Sequence, residues 1–349
     1  MAMIFMDGFD QPSIGQLAYR GWGAGNWAMY AMYTGRFGVG QCLQVWEDST
    51  ISHSLPSTYS ALIVGFAMVV PSNSYSGNSK DRMTLGSVKL GTIDVGSGQY
   101  VWAITDLTGT TQGTTRFTTG GWNYVEAKIV FHGSTGTVEL RVNGLPTAEL
   151  SATGRNTGAG VSGFNLRNYW PPSSYFDDIY FCDTTGPAPN NDFLGDIRVE
   201  YLVPTGAGAK TNFTPSAATN WQTVDEAGGA SDADYNSDNV PGAMDLFAMS
   251  NLSGNGLVFG VQPSVRAWKS DAGFRTVKAV AFMSNGTGET ARYYPSLKFA
   301  VGDSPAFSTR LMSLSPDTNV AWTVAEVNAL QFGYMVGEAS MFTLDARLV

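Results

Sequence analysis

The stretch "GGWNYVEAKIVFHGSTGTVELRVNG", Gly120–Gly144, carries two apolar runs with a turn between them. Trp122, Tyr124 and Val125 lead into a run ending at Phe131, and Ser134-Thr135-Gly136 supplies the turn. Val138, Leu140 and Val142 then alternate with Glu139 and Arg141 as far as Asn143-Gly144. A period of two is what a half-buried strand requires, because successive side chains leave opposite faces. Asn-Gly accepts the positive φ angles of a tight turn. The stretch therefore reads as an antiparallel hairpin.

The same grammar extends outward. "YSALIVGFAMVV" (Tyr59–Val70) is continuous and rich in β-branched residues, as in a strand covered on both faces, and Pro71 with the polar "SNSYSGNSKD" closes it. "RMTLGSVKLGTIDVGSGQYVWAITD" (Arg82–Asp106) alternates, with turn signals at Gly91 and Gly96-Ser97-Gly98. "VSGFNLRNYWPPSSYFDDIYFCD" (Val161–Asp183) supplies two more strands around Pro171-Pro172. Short strands separated by Gly, Asn, Ser and Pro predict an all-β fold, an antiparallel β-sandwich over residues 1–185. "TTGPAPNND" (Thr184–Asp192) is a breaker cluster, so residues 186–192 read as a linker. Residues 193–349 read as a second β-rich domain with one short helix. Its first strand is expected in "GDIRVEYLVP", with Ile197, Val199 and Tyr201 on one face, and a long polar loop at 206–244. The helix is expected in "AWTVAEVNALQFGYMV", where Thr323 and Glu326 form a capping box.

Of the 349 residues, 43% are hydrophobic and only 14% charged, against roughly 25% charged in a typical soluble protein. The 41 glycines, with many Ser, Thr and Asn, fill the difference. A net charge of −9 with Lys and Arg scattered singly argues against direct nucleic-acid binding. Cys42 and Cys182 are far apart, without metal-ligand spacing, and read as two buried free thiols more readily than as a disulfide. "MAMIFMDGFDQ" lacks a basic n-region and is interrupted by Asp7, so no signal peptide is expected; no run reaches the roughly 18–20 apolar residues of a membrane span.

Four constellations invite a chemical reading. Asp177 and Asp178 are adjacent acids in an aromatic run, but strand geometry would send them to opposite faces. Glycosidase carboxylates must flank one bond, about 5–9.5 Å apart. The only other candidates, Glu47-Asp48 in "VWED" and a lone Glu126, form no same-face trio, and the chain reads as non-enzymatic. Asp232, Asp234, Asn236 and Asp238 alternate like the first half of a calcium loop, but Ser237 and Ala243 stand where that loop needs Gly and Glu. These four are a weak calcium candidate, against a solvated acidic loop; no other cofactor is expected. The two histidines, His53 and His132, have loop-like settings that support no catalytic triad. Finally, Trp22, Trp27, Tyr30, Tyr33, Tyr169 and Trp170 lie outside the obvious strands. Such rings either pack in a core or subunit interface or stack on sugars; Trp22, Trp27, Tyr169 and Trp170 are the glycan-binding candidates.

The opening "MIFMDGFD" (Met3–Asp10), the Gly120–Gly144 hairpin and the closing "YFDDIYFCD" (Tyr175–Asp183) resemble the concanavalin-A/laminin-G-like jelly-roll domains of tailed-bacteriophage virion proteins. "GDIRVEYLVPTGAGAKTNFTPSAATNWQTVDE" and "TVAEVNALQFGYMV" resemble the C-terminal region that accompanies such domains in tail-associated proteins. The resemblance implies a structural component of a phage particle, in the tail, collar or capsid surface. Its partners would be other virion proteins and copies of itself, it would assemble in the host cytoplasm, and it would not enter a membrane. The alternative it leaves is a receptor-binding or carbohydrate-binding module for host-surface glycans.

Overall fold

The computed structural model describes residues 3–10, 13–70, 79–168, 173–226, 233–254, 256–271, 274–283, 292–295, 299–309 and 311–337. The chain is an antiparallel β-sandwich followed by a second β-rich unit. The two units are Met1–Tyr201 and Leu202–Val349.

The first unit is built from two eight-stranded sheets. One runs Leu150–Arg155, Gly136–Val142, Trp122–Val130, Ala61–Val69, Ser174–Asp183, Gln41–Val45, Tyr30–Thr34, with Met3–Asp7 also paired to Ser174–Asp183. The other runs Gly109–Gln112, Gln99–Asp106, Val88–Gly96, Ser79–Leu85, Val161–Asn168, Ser49–Tyr59, Trp22–Ala24, with Phe117–Thr118 on Gln99–Asp106. The quoted hairpin forms as read, with Val125 opposite Val142 and Ile129 opposite Val138. Asn143 and Gly144 take φ of 55° and 69°, the left-handed backbone that this pair tolerates.

Alternating residues meet between the sheets: Val64, Phe66 and Met68 from one strand, Phe176 and Phe181 from its neighbour, and Leu90, Tyr100 and Trp102 from across. Each large apolar side chain buried this way contributes about 1.5–3 kcal/mol before entropy. Cys42 and Cys182 are buried free thiols. A short helix, Ile14–Tyr19, joins the first strands. Its Ser13 makes no side-chain cap and Gly15 sits inside it, so the sequence carries no start signal.

The stretch that follows the last sandwich strand departs from expectation. Gly195–Val203 forms no strand, and residues 184–201 lie within the first unit as an irregular strap. The break therefore falls at Tyr201/Leu202, later than the 186–192 linker. The strap's N–H groups are claimed by carboxylates and not by a neighbouring strand: Leu194 and Gly195 donate to Glu126, and Val199 donates to Asp178. Arg36 to Asp196 and Lys128 to Asp192 add ion pairs, and Arg141 lies over the Phe193 ring.

The second unit centres on a six-stranded sheet, Pro204–Thr211, Met244–Met249, Gln331–Val336, Arg275–Met283 and Arg292–Pro295, with Phe299–Val301 also on Arg275–Met283. Part of the expected 206–244 loop is thus strand. Thr323 and Glu326 form the reciprocal capping box, and the helix they start is one and a half turns long, Val324–Ala329. "MFTLDARLV" (341–349) also reads as a strand, and it lies outside the described residues. Among the described residues no helix is long and apolar enough to cross a membrane.

Candidate functional site

At one side of the sandwich both sheets end, in Tyr30–Thr34 and in Trp22–Ala24. The chain crosses between the sheets twice there. Gly25–Met29 carries it from Trp22–Ala24 to Tyr30–Thr34, through a single 3-10 turn at Trp27–Met29. Trp46–Asp48 carries it from Gln41–Val45 to Ser49–Tyr59. The first crossing is shaped by Asn26, whose Oδ1 accepts from the Ala28 N–H at 3.1 Å. The second turns on Asp48, at φ 48°, a left-handed residue for which a short polar side chain is suited. The Trp46 N–H donates to the Met29 carbonyl at 3.1 Å and binds the two crossings together.

Between them lies a cavity of about 830 Å³ lined by Gly25, Asn26, Met29, Tyr30, Glu47, Asp48, Ser49 and Thr50. That volume is in the range of small-ligand pockets. Its wall is mixed: the Tyr30 ring, two carboxylates, an amide and two hydroxyl residues. Tyr30 is almost wholly buried, and burial pushes its phenol above the ordinary value, offset in part by the Thr50 backbone N–H, so the hydroxyl is a neutral donor. The Trp27 ring stands edge-on to Tyr30, centroids 6.0 Å apart. Trp46, the residue before Glu47, is 45% exposed. Ring faces, carboxylates and hydroxyls are the groups with which proteins hold polyhydroxylated ligands.

The predicted site residues divide sharply. Trp27 lies beside the cup. Trp22 does not serve a ligand: it is a core residue, its indole N–H donates to Asp7 Oδ2 at 2.9 Å, and Phe5, Phe9 and Phe164 surround it. The short strand that holds it faces inward, so an apparent loop aromatic is packing. Tyr169 and Trp170 lie outside the described residues, as does Asp232. Asn236 is spent on structure: its Nδ2 donates to the Asn220 carbonyl and the Tyr334 hydroxyl, and its Oδ1 accepts from Thr223. Asp238 caps the Val240 N–H. Asn236 and Asp238 thus have structural partners, and among the described residues no group of three or more His, Cys, Asp or Glu is arranged to hold a metal. His53 belongs to a strand and packs among Phe5, Trp22 and Phe164; burial lowers its pKa. His132 accepts from the Ser134 and Thr135 N–H groups and shapes the hairpin turn. Sequence reasoning missed Trp46 and Asn26 and met Glu47-Asp48 only as adjacent acids; nothing in the sequence placed the two crossings side by side.

Asp177 and Asp178 correct the alternation rule. A β-bulge separates Asp177 from Tyr180 in the pairing with Ala61–Val69, and Asp178 adopts φ 51°. The extra residue turns both carboxylates to the outer face. The Arg36 N–H donates to Asp177 Oδ2 at 2.9 Å, and the Arg36 guanidinium lies 3.6 Å from Asp178 Oδ2. Burial raises both carboxyls, Asp177 further through the charge of Asp178, while Arg36 and the Val199 N–H pull Asp178 back. Glu126, on the same face, accepts from the Tyr180 hydroxyl at 2.5 Å and from two strap N–H groups. Glu126 and Asp178 hold the strap, Asp177 is tied to the Arg36 and Asp178 N–H groups, and all three are buried.

Comparison with protein-family models finds no match, and comparison with curated proteins finds none. Among solved structures the chain is similar to domain 4 of AbnA, an extracellular arabinanase of Geobacillus stearothermophilus solved with arabinotriose, at 14% identity and a TM-score of 0.37, covering 52% of this chain and 93% of that one. It is similar to the carbohydrate-binding module CBM66 of Bacillus subtilis at 11% identity and a TM-score of 0.28, over 47% and 96% of the two chains. A structure of botulinum neurotoxin type C, whose cell entry depends on two ganglioside molecules, matches at 9% identity and a TM-score of 0.32, over 88% and 91%. The likeness is one of general fold, and no residue role or ligand is transferred from it. None of these three is a phage protein.

Proposed function

We propose that the chain is a non-enzymatic, glycan-recognising surface component of a bacteriophage particle, with the cup between the two sheet crossings as its recognition site. The observation that carries the reading is the cup itself: about 830 Å³, lined by Tyr30, Asn26, Glu47, Asp48, Ser49 and Thr50, with the exposed Trp46 preceding Glu47. A sugar presents apolar C–H faces and a ring of hydroxyls; the exposed Trp46 would supply a ring for the first, and the exposed Asn26, Glu47, Asp48 and Thr50 side chains supply polar partners for the second. The non-enzymatic part rests on Glu126 and Asp178 being committed to the strap and Asp177 to the Arg36 N–H. The phage setting rests on the sequence resemblance and on the low-charge, glycine-rich composition, which suits a protein packed among copies and neighbours.

A glycan array with the full chain tests recognition. Binding is expected, and Trp46→Ala with Asn26→Ala should abolish it while far-UV circular dichroism stays unchanged. No binding, or binding indifferent to those substitutions, would remove the cup from consideration. Reducing-end release from a bound polysaccharide would overturn the non-enzymatic reading. Mass spectrometry of purified particles tests the virion location, and absence of the chain there would exclude it.

A further inference from the structure

Resting on the cup as the recognition site, its charge narrows the ligand. Eight residues line it, and the charged ones among them are both acids, Glu47 and Asp48. Arg167 stands 3.7 Å from Asp48, but the Asp48 side chain is 81% exposed. That single cation offsets at most one of the two acid charges, so the wall keeps a net negative charge. The two carboxylates are adjacent residues in one turn, fixed by the left-handed Asp48 and by the Ser49 hydroxyl, which donates to the Glu47 carbonyl at 3.0 Å. The backbone that carries both acids is therefore fixed, and both belong to the wall of the cup.

We infer that the cup takes an uncharged or amino-bearing glycan and rejects acidic ones, such as uronate-containing or sialylated chains. A carboxylate accepts hydrogen bonds only, so it suits the hydroxyl hydrogens of a neutral sugar and suits an ammonium better. A sugar carboxylate has no hydrogen to give and meets like charge. At about 4 Å in water-like dielectric, a like-charge contact weakens binding about fivefold per pair, and more once the site is partly dry. Conversely, an amino sugar gains by a similar factor.

The test uses the full chain with three probes of equal length: a neutral hexose oligomer, a glucosamine oligomer with free amines, and a polyuronate oligomer. Each is titrated at about 20 mM and about 300 mM salt, where the screening length falls from roughly 20 Å to under 8 Å. The glucosamine oligomer should bind tightest and weaken with salt, the neutral one should ignore salt, and the uronate should bind at least fivefold more weakly than the neutral one. Glu47→Gln with Asp48→Asn should close these gaps. The salt dependence of the unaltered chain gives the same answer without any variant. Uronate binding equal to neutral binding, still lost in Trp46→Ala with Asn26→Ala, overturns the inference while leaving the cup as the site. If no probe binds, or binding ignores those two substitutions, the site itself is wrong and the inference falls with it.

Discussion

Replacing Glu126 by Ala should loosen the strap at residues 184–201 more than any other single truncation on that face. Glu126 is buried to 1% exposure and takes three hydrogen bonds: from the Tyr180 hydroxyl at 2.5 Å, and from the Leu194 and Gly195 N–H groups, each at 2.9 Å. A hydrogen bond to a charged group is worth about 1.5–3 kcal/mol, so three lost together would approach 4–9 kcal/mol. Against this stands the cost of burying the carboxylate, visible in the upward shift of its pKa, which the Ala variant no longer bears. A net loss of about 3 kcal/mol is expected, with about 1 kcal/mol for Glu126→Gln, which keeps one acceptor oxygen. Hydrogen exchange read by mass spectrometry on peptides spanning 184–201 measures this directly, and a 3 kcal/mol loss accelerates exchange about 100-fold. Arg116→Ala, which removes an exposed hydrogen bond to Gln99 in the opposite sheet, is the control and should leave those peptides unchanged. Less than threefold acceleration in Glu126→Ala would mean that the strap is held some other way.

Four further outcomes are expected. Asp10, Asp177 and Asp178 all have folded-state pKa values raised by burial, Asp10 to about 6, so the folded protein binds protons more tightly than the unfolded chain. Their contribution to stability is therefore full below pH 4 and lost as pH rises, through about 6 for Asp10 and at higher pH for Asp177; the unfolding free energy from urea titrations should fall between pH 4 and 8, by on the order of 2 kcal/mol, and Asp177→Asn should flatten the slope. Gly65→Ala would push a methyl group into the Tyr180 ring and the Tyr124 hydroxyl, and should cost about 2–3 kcal/mol in urea unfolding. Thr323→Ala removes the hydroxyl that accepts from the Glu326 N–H, while the residue-323 N–H can still donate to the Glu326 carboxylate, and should lower the stability of the second unit by about 1 kcal/mol, read from its urea transition. Burial pushes the Cys42 thiol up to about 12 and raises Cys182 as well, so a thiol reagent at pH 8 should label neither until denaturant is added.

What the sequence disclosed depends on how local each feature is. The Gly120–Gly144 hairpin and the Thr323 cap are encoded within a few residues, and alternation or spacing exposes them directly. The same rule misread Asp177-Asp178, because a bulge shifts the period by one and leaves no local mark. It misread Gly195–Val203 too: the alternation of Ile197, Val199 and Tyr201 is real, but Asp178 and Glu126, distant in sequence, supply the hydrogen-bond partners a strand would need. Trp22 looked like a loop aromatic because Gly flanks it on both sides, and its burial follows from Phe5 and Phe164, far away in the chain. The cup is of the same kind. Tyr30 and Trp27 were visible as aromatics and Glu47-Asp48 as acids, but their meeting is a property of two sheet crossings at one edge.

The order of strands in the first sheet has a consequence for how the protein is made. Ser174–Asp183 is the last strand of the sandwich to be synthesised, yet it lies mid-sheet between Ala61–Val69 and Gln41–Val45 and also receives Met3–Asp7. At about 5–20 residues per second, a ribosome needs on the order of ten seconds or more to reach it. Until then Ala61–Val69, one of the most apolar segments in the chain, has an open flank, and Met3–Asp7 has no partner in its sheet. Closing the sheet joins residues about 180 apart, a topology that folds slowly. The nascent chain must be kept from pairing with its neighbours for that interval, so its yield should depend on translation rate and on chaperone supply more than on the final stability of the sandwich.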